Sequence, residues 1–87
     1  MQVDSLKVGC IIKVSWTNHS KVFVILSVCK KQSPYIFSLS SEDKAEEYVM
    51  YVIPEVFSAH RQQTENYTLM NKKGDVLSID AKIEIIE

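Results

Sequence analysis

The chain has 87 residues, 46% of them hydrophobic and 24% charged, with a formal net charge of −1. That length suits one domain with a modest core and is too short for two, so a single compact domain over residues 1–87 is expected. Two glycines and two prolines exclude linker-rich, collagen-like and repeat architectures, and no apolar run approaches a bilayer span, so no membrane partner is expected.

From the N-terminus, Leu6, Val8, Ile12 and Val14 mark a first strand with a bend or bulge near Gly9, leaving Lys7, Lys13 and Ser15 to solvent. Thr17-Asn18-His19-Ser20 is a turn cluster of the right length for a hairpin. Val22 to Val28 carries no charge and is rich in β-branched residues, which predicts a central strand buried on both faces. After the turn residues Lys30 to Pro34, Tyr35 to Leu39 returns as a third strand of an antiparallel meander.

Residues 40 to 61 carry conflicting signals. Ser40 is placed to cap a helix whose first turn holds Glu42 and Asp43, and Ala45, Tyr48, Val49, Val52, Ile53, Val56 and Phe57 recur at helical spacing. Yet Tyr48 to Ile53 is rich in strand formers, and Pro54 would clash with the Met50 carbonyl in a continuous helix. The expectation is an acidic helical start near Ser41 to Glu47, then either more helix to about Val52 or a strand, and a second helical turn at Glu55 to Arg61.

The last third reads more simply. Tyr67 to Met70 and Val76 to Ile79 are joined by Asn71-Lys72-Lys73-Gly74-Asp75, a hairpin loop with Gly74 suited to positive φ, and Ile83 to Ile86 form a last short strand. The sum is an α+β, β-dominated chain: a small, partly open antiparallel barrel of about six strands, with one helical excursion between residues 40 and 61. The opening Leu6-Lys7-Val8-Gly9-Cys10-Ile11-Ile12-Lys13-Val14 resembles the first strand of SH3-like barrels, including the KOW type of transcription factors and the PemK-like toxins. The resemblance implies an SH3-like architecture and transfers no functional residue.

Cys10 and Cys29 match no metal-ligand spacing and are expected as buried thiols, with a cross-strand disulfide left open. No basic and apolar leader opens the chain, so a reducing cytoplasm is the expected location. Glu42, Asp43, Glu46 and Glu47 resemble no calcium loop and are read as a solvated face; no metal or cofactor is expected.

Charge is unevenly spread. Residues 1–40 hold five lysines against Asp4, a balance of +4, while residues 41–66 hold six acids against Lys44 and Arg61, a balance of −4. Two functional readings follow. In the first, the chain is a non-catalytic protein-binding module, an adaptor or inhibitor of a larger intracellular complex with self-association as a variant, using surplus aromatics at Tyr48, Tyr51, Phe57 and Tyr67. In the alternative, Lys13, Trp16, Lys21, Lys30, Lys31 and Tyr35 bind nucleic acid by phosphate contact and stacking, or His60 and Arg61 serve a metal-independent ribonuclease toxin as base and phosphate clamp.

Overall fold

The structure, a computed structural model, describes residues 5–32, 34–52 and 67–87. Six strands follow in order: β1 (Ile11–Trp16), β2 (His19–Cys29), β3 (Tyr35–Ser41), β4 (Glu47–Val52), β5 (Tyr67–Asn71) and β6 (Val76–Ile85). Each pairs antiparallel with its successor, and β6 pairs back on β1, setting Ile85 against Ile12 and Ile83 against Val14. The sheet is a closed barrel where a partly open one was expected. Closure leaves no strand without a neighbour on either side, which is the gain over an open sheet.

One interior imposes one rule on every strand: alternate residues point inward. Ile12 and Val14, Phe37 and Leu39, Met50 and Val52, and Tyr67 and Leu69 obey it and are fully buried. Leu6 joins this core from the end at which β1 begins. It is brought there by a turn in which the Cys10 N–H donates to the Lys7 carbonyl at 3.0 Å, with Gly9 at φ +92°, a conformation that costs glycine little.

The run Val22 to Val28 is a long strand, but it is not buried on both faces. Phe23 and Ile25 are buried, Val22 and Val24 are half-buried, and Leu26 and Ser27 are exposed. Between Ile25 and Ser27 the register against β3 slips, making Leu26 the extra residue of a β-bulge. The slip reverses the strand's phase. Before it the odd-numbered Phe23 and Ile25 point inward; after it Val28 sits opposite buried Phe37, and Cys29 opposite exposed Ile36. A run that reads as two-sided is therefore two one-sided halves in opposite phase.

The helical start expected near Ser41 to Glu47 is not present. Ser41 ends β3, residues 42–46 turn, and Glu47 to Val52 is β4, so the strand-forming content of Tyr48 to Val52 prevails over its helical period. The second helical turn expected at Glu55 to Arg61 lies outside the described residues. The two short strands expected at 76–79 and 83–86 are one strand, β6, kept continuous by two register shifts against β5, one that sets both Ile79 and Asp80 against Thr68 and one that passes over Leu77. Cys10 and Cys29 are both free thiols, and Cys29 is exposed where a buried thiol was expected.

Two outcomes test this arrangement. Val28→Asp, which forces a charge against the core, is expected to cost about 2 kcal/mol or more in denaturant unfolding, whereas Cys29→Asp one residue on should stay within about 0.5 kcal/mol. The two-residue turn between Trp16 and His19 holds Thr17 at φ +48°, a strained conformation for a β-branched residue. Thr17→Gly is expected to raise stability by about 1 kcal/mol in the same measurement.

Candidate functional site

Register places side chains far apart in sequence on one outer wall. Ile36, Tyr51 and Thr68 are cross-strand neighbours on β3, β4 and β5, and Ser38, Val49 and Met70 form the next row. None of the six is charged, and Ile36 remains 41% exposed. The wall is bounded toward one barrel end by Glu47, whose carboxylate lies 3.8 Å from the Lys72 ammonium. Charge depletion around an aromatic residue is the compositional mark of the centre of a protein interface.

The aromatics singled out by sequence separate into different environments. Tyr67 is 1% exposed and is the largest fully buried side chain among the described residues, a core residue of the barrel. Tyr48 points inward beside Met50 and Val52, and its ring meets Phe23 edge-on at 4.9 Å between centroids. Tyr51 alone of the described three faces outward, between Ile36 and Thr68. Phe57 lies outside the described residues, as do His60 and Arg61.

The lysines and aromatics of the nucleic-acid reading are not gathered into one patch. Lys13, Trp16 and Lys21 lie toward the end bearing the β1–β2 turn, whereas Lys30, Lys31 and Tyr35 surround the β2–β3 connection at the other end. Nine residues of extended chain separate Lys21 from Lys30, about 30 Å. Trp16 and Tyr35 both pack against the core, Trp16 with its ring 5.7 Å from that of His19. Lys21 is engaged locally, paired with Glu46 and 5.7 Å from the centroid of the Tyr48 ring.

The acidic residues form a turn lock. Ser41 Oγ donates to Asp43 Oδ1 at 2.6 Å and accepts the Glu46 N–H at 3.0 Å, while Asp43 Oδ1 also accepts the Ala45 N–H at 3.0 Å. Serine and aspartate here tie a β-turn by the same local hydrogen bonds that would cap a helix, which is why the two signals look alike in sequence. A groove of about 440 Å³ runs beside this lock, lined by Lys13, Ser20, Lys21, Val22 and residues 41–43. A second, of about 360 Å³, lies between residues 45–48 and the β5–β6 loop. Both are shallow and carry charge of both signs. Among the described residues no three His, Cys, Asp or Glu side chains are grouped to hold a metal ion.

Sequence reasoning found Tyr51 and missed Ile36, Val49 and Met70. The available signal was strand alternation opposite the core positions Phe37, Met50 and Leu69, but it yields a surface only once the registers join the strands.

The hydrogen bonds from Ser41, and secondarily from Ala45, hold the Asp43 carboxyl below its ordinary value of 3.8. Since the folded value is the lower one, the stabilisation is complete above pH 3.8 and is lost as pH falls through that folded value. Thermal unfolding should therefore separate wild type from Asp43→Asn at neutral pH and bring them together in strong acid. No protein-family model, curated protein or solved structure matches this chain.

Proposed function

We propose that the chain is a non-catalytic protein-binding module whose contact surface is the β3–β4–β5 wall, acting as an adaptor or inhibitor on a larger intracellular complex. The observation that carries this reading is the charge-free pair of rows with Tyr51 and Ile36 at its centre. A partner that buries these two rows strips no charge of its water, so the wall's side of the interface carries no charge-desolvation cost. Tyrosine supplies a large, stiff contact at low entropic cost and is enriched among residues that dominate binding.

Nucleic-acid binding is the weaker reading, because its aromatic and basic candidates lie at opposite barrel ends and Lys21 is already paired. The test is affinity purification of tagged wild type and a Tyr51→Lys variant from native cells, with nuclease and salt washes. The expected result is a stoichiometric protein that survives both washes and is depleted at least tenfold with the variant, which retains wild-type circular dichroism. Recovery instead of salt-labile nucleic acid, diminished by Lys30→Glu with Lys31→Glu and indifferent to Tyr51, would reverse the ranking.

A further inference from the structure

The wall on the far side of the barrel from β4 is built on a different plan. Across β6, β1 and β2 the outward row is aliphatic, running from Ile86 just past the end of β6 through Ile11 to Val24. Three side chains stand out from it: Val8 on the turn before β1 is 64% exposed, Leu26 on the bulge 48% and Ile86 49%. Backbone hydrogen bonds hold them together, from Gly9 N–H to the Ile25 carbonyl at 2.9 Å and from Ile86 N–H to the Ile11 carbonyl at 2.8 Å.

Lysines surround this strip. Lys7 adjoins Val8, Lys13 and Lys82 lie further along β1 and β6, and Lys30 and Lys31 follow the end of β2. Among the described residues the ion pairs join Lys21 to Glu46 and Lys72 to Glu47, so these five ammonium groups are uncommitted. The carboxylates on the wall are Glu84, level with Lys13 in the β1–β6 register, and Glu87, whose backbone bonds Ile11; Asp80 lies on β6 past the end of β1. Counting the rim on the same footing, these five lysines, of which Lys30 and Lys31 sit at the barrel end, against Glu84, Glu87 and Asp80 leave the wall and its rim at +2 in a chain whose net charge is −1.

The aliphatic side chains protrude from a convex wall and line neither groove. A folded partner would have to wrap around them and supply acids at widely separated points. A bilayer surface yields to protruding side chains and presents negative charge everywhere. We propose that the β6–β1–β2 wall docks on the surface of an anionic lipid bilayer, with Val8, Leu26 and Ile86 entering the headgroup layer and the lysines facing the lipid charges. No membrane-spanning segment is required, so the expectation of no membrane partner, which rested on the lack of a span, does not bear on a surface contact.

The experiment is co-sedimentation of the full chain with vesicles of phosphatidylcholine alone and with about a third phosphatidylserine, at low and high salt. Binding to the anionic vesicles alone, lost at high salt, is expected. Each lysine near such a surface is worth about fivefold, so Lys7→Gln with Lys13→Gln should weaken binding about 30-fold. Val8→Asp with Leu26→Asp should weaken it at least tenfold with circular dichroism unchanged, since both positions are exposed. Wild type remaining in the supernatant with anionic vesicles at low salt would overturn the proposal. So would binding indifferent to the Val8 and Leu26 changes, or equal affinity for a soluble acidic peptide, which would make the wall a site for acidic protein. This surface is independent of the β3–β4–β5 wall, and Tyr51→Lys is expected to leave vesicle binding unchanged.

Discussion

Pairing of β6 with β1 is the contact on which the remaining architecture depends. With the ring closed there is a single interior, and each strand must deliver its alternate side chains to it. β1 has six residues, while β2 and β6, its neighbours on the two sides, have eleven and ten. The longer strands must serve β1 along one part of their length and β3 or β5 along another. The bulge at Leu26 and the register shifts near Ile79 are where they change allegiance without losing inward phase. Ile79, at 71% exposure, lies within the first of the β6 shifts.

The same constraint explains which parts of the fold are visible in the residues alone. Alternation at Ile12 and Val14 and the loop around Gly74 are local signals, and there the local reading agrees with the structure. The first hairpin is tighter than read, with His19 and Ser20 already in β2, and the strand expected from Leu6 starts only at Ile11. The segment from Ser41 to Val52 is legible only in part. Its serine and acids satisfy a turn as well as a helix start, and the choice is made by Met50 and Val52, which fill the interior between Phe37 and Leu69 only when the segment is extended. Leu26 shows the complementary difficulty. Nothing in Val-Phe-Val-Ile-Leu-Ser-Val marks one residue as extra, because the bulge is dictated by the partner strand.

Candidate surfaces were less legible than the fold because a surface is a property of register. Tyr51 and Ile36 are fifteen positions apart in the chain and adjacent on the wall, whereas Lys21 and Lys30 are closer in the chain and at opposite ends. The charge blocks seen in sequence are likewise redistributed. The lysines of the first forty residues spread over the wall around β1 and over both barrel ends. Much of the acidic block is drawn into one hairpin, where Asp43 is held by Ser41 and Glu46 by Lys21. Tyr67 is a similar case: an aromatic residue beside a polar stretch reads as surface until the interior is seen to need its volume.

Connectivity also has a temporal side. Five of the six strand pairings join elements consecutive in the chain, and the tight turns between β1 and β2, β3 and β4, and β5 and β6 bring their partners together cheaply. The sixth joins Ile12 to Ile85, so about 70 residues must be looped to make it, at roughly 4 kcal/mol of chain entropy. Hairpins can assemble from local encounters, but the cylinder exists only after its two ends meet. Closing the seam between β1 and β6 is thus the pairing with the largest loop-closure cost, and substitutions at Ile83 and Ile85 are expected to register in the folding rate if the seam forms at the barrier.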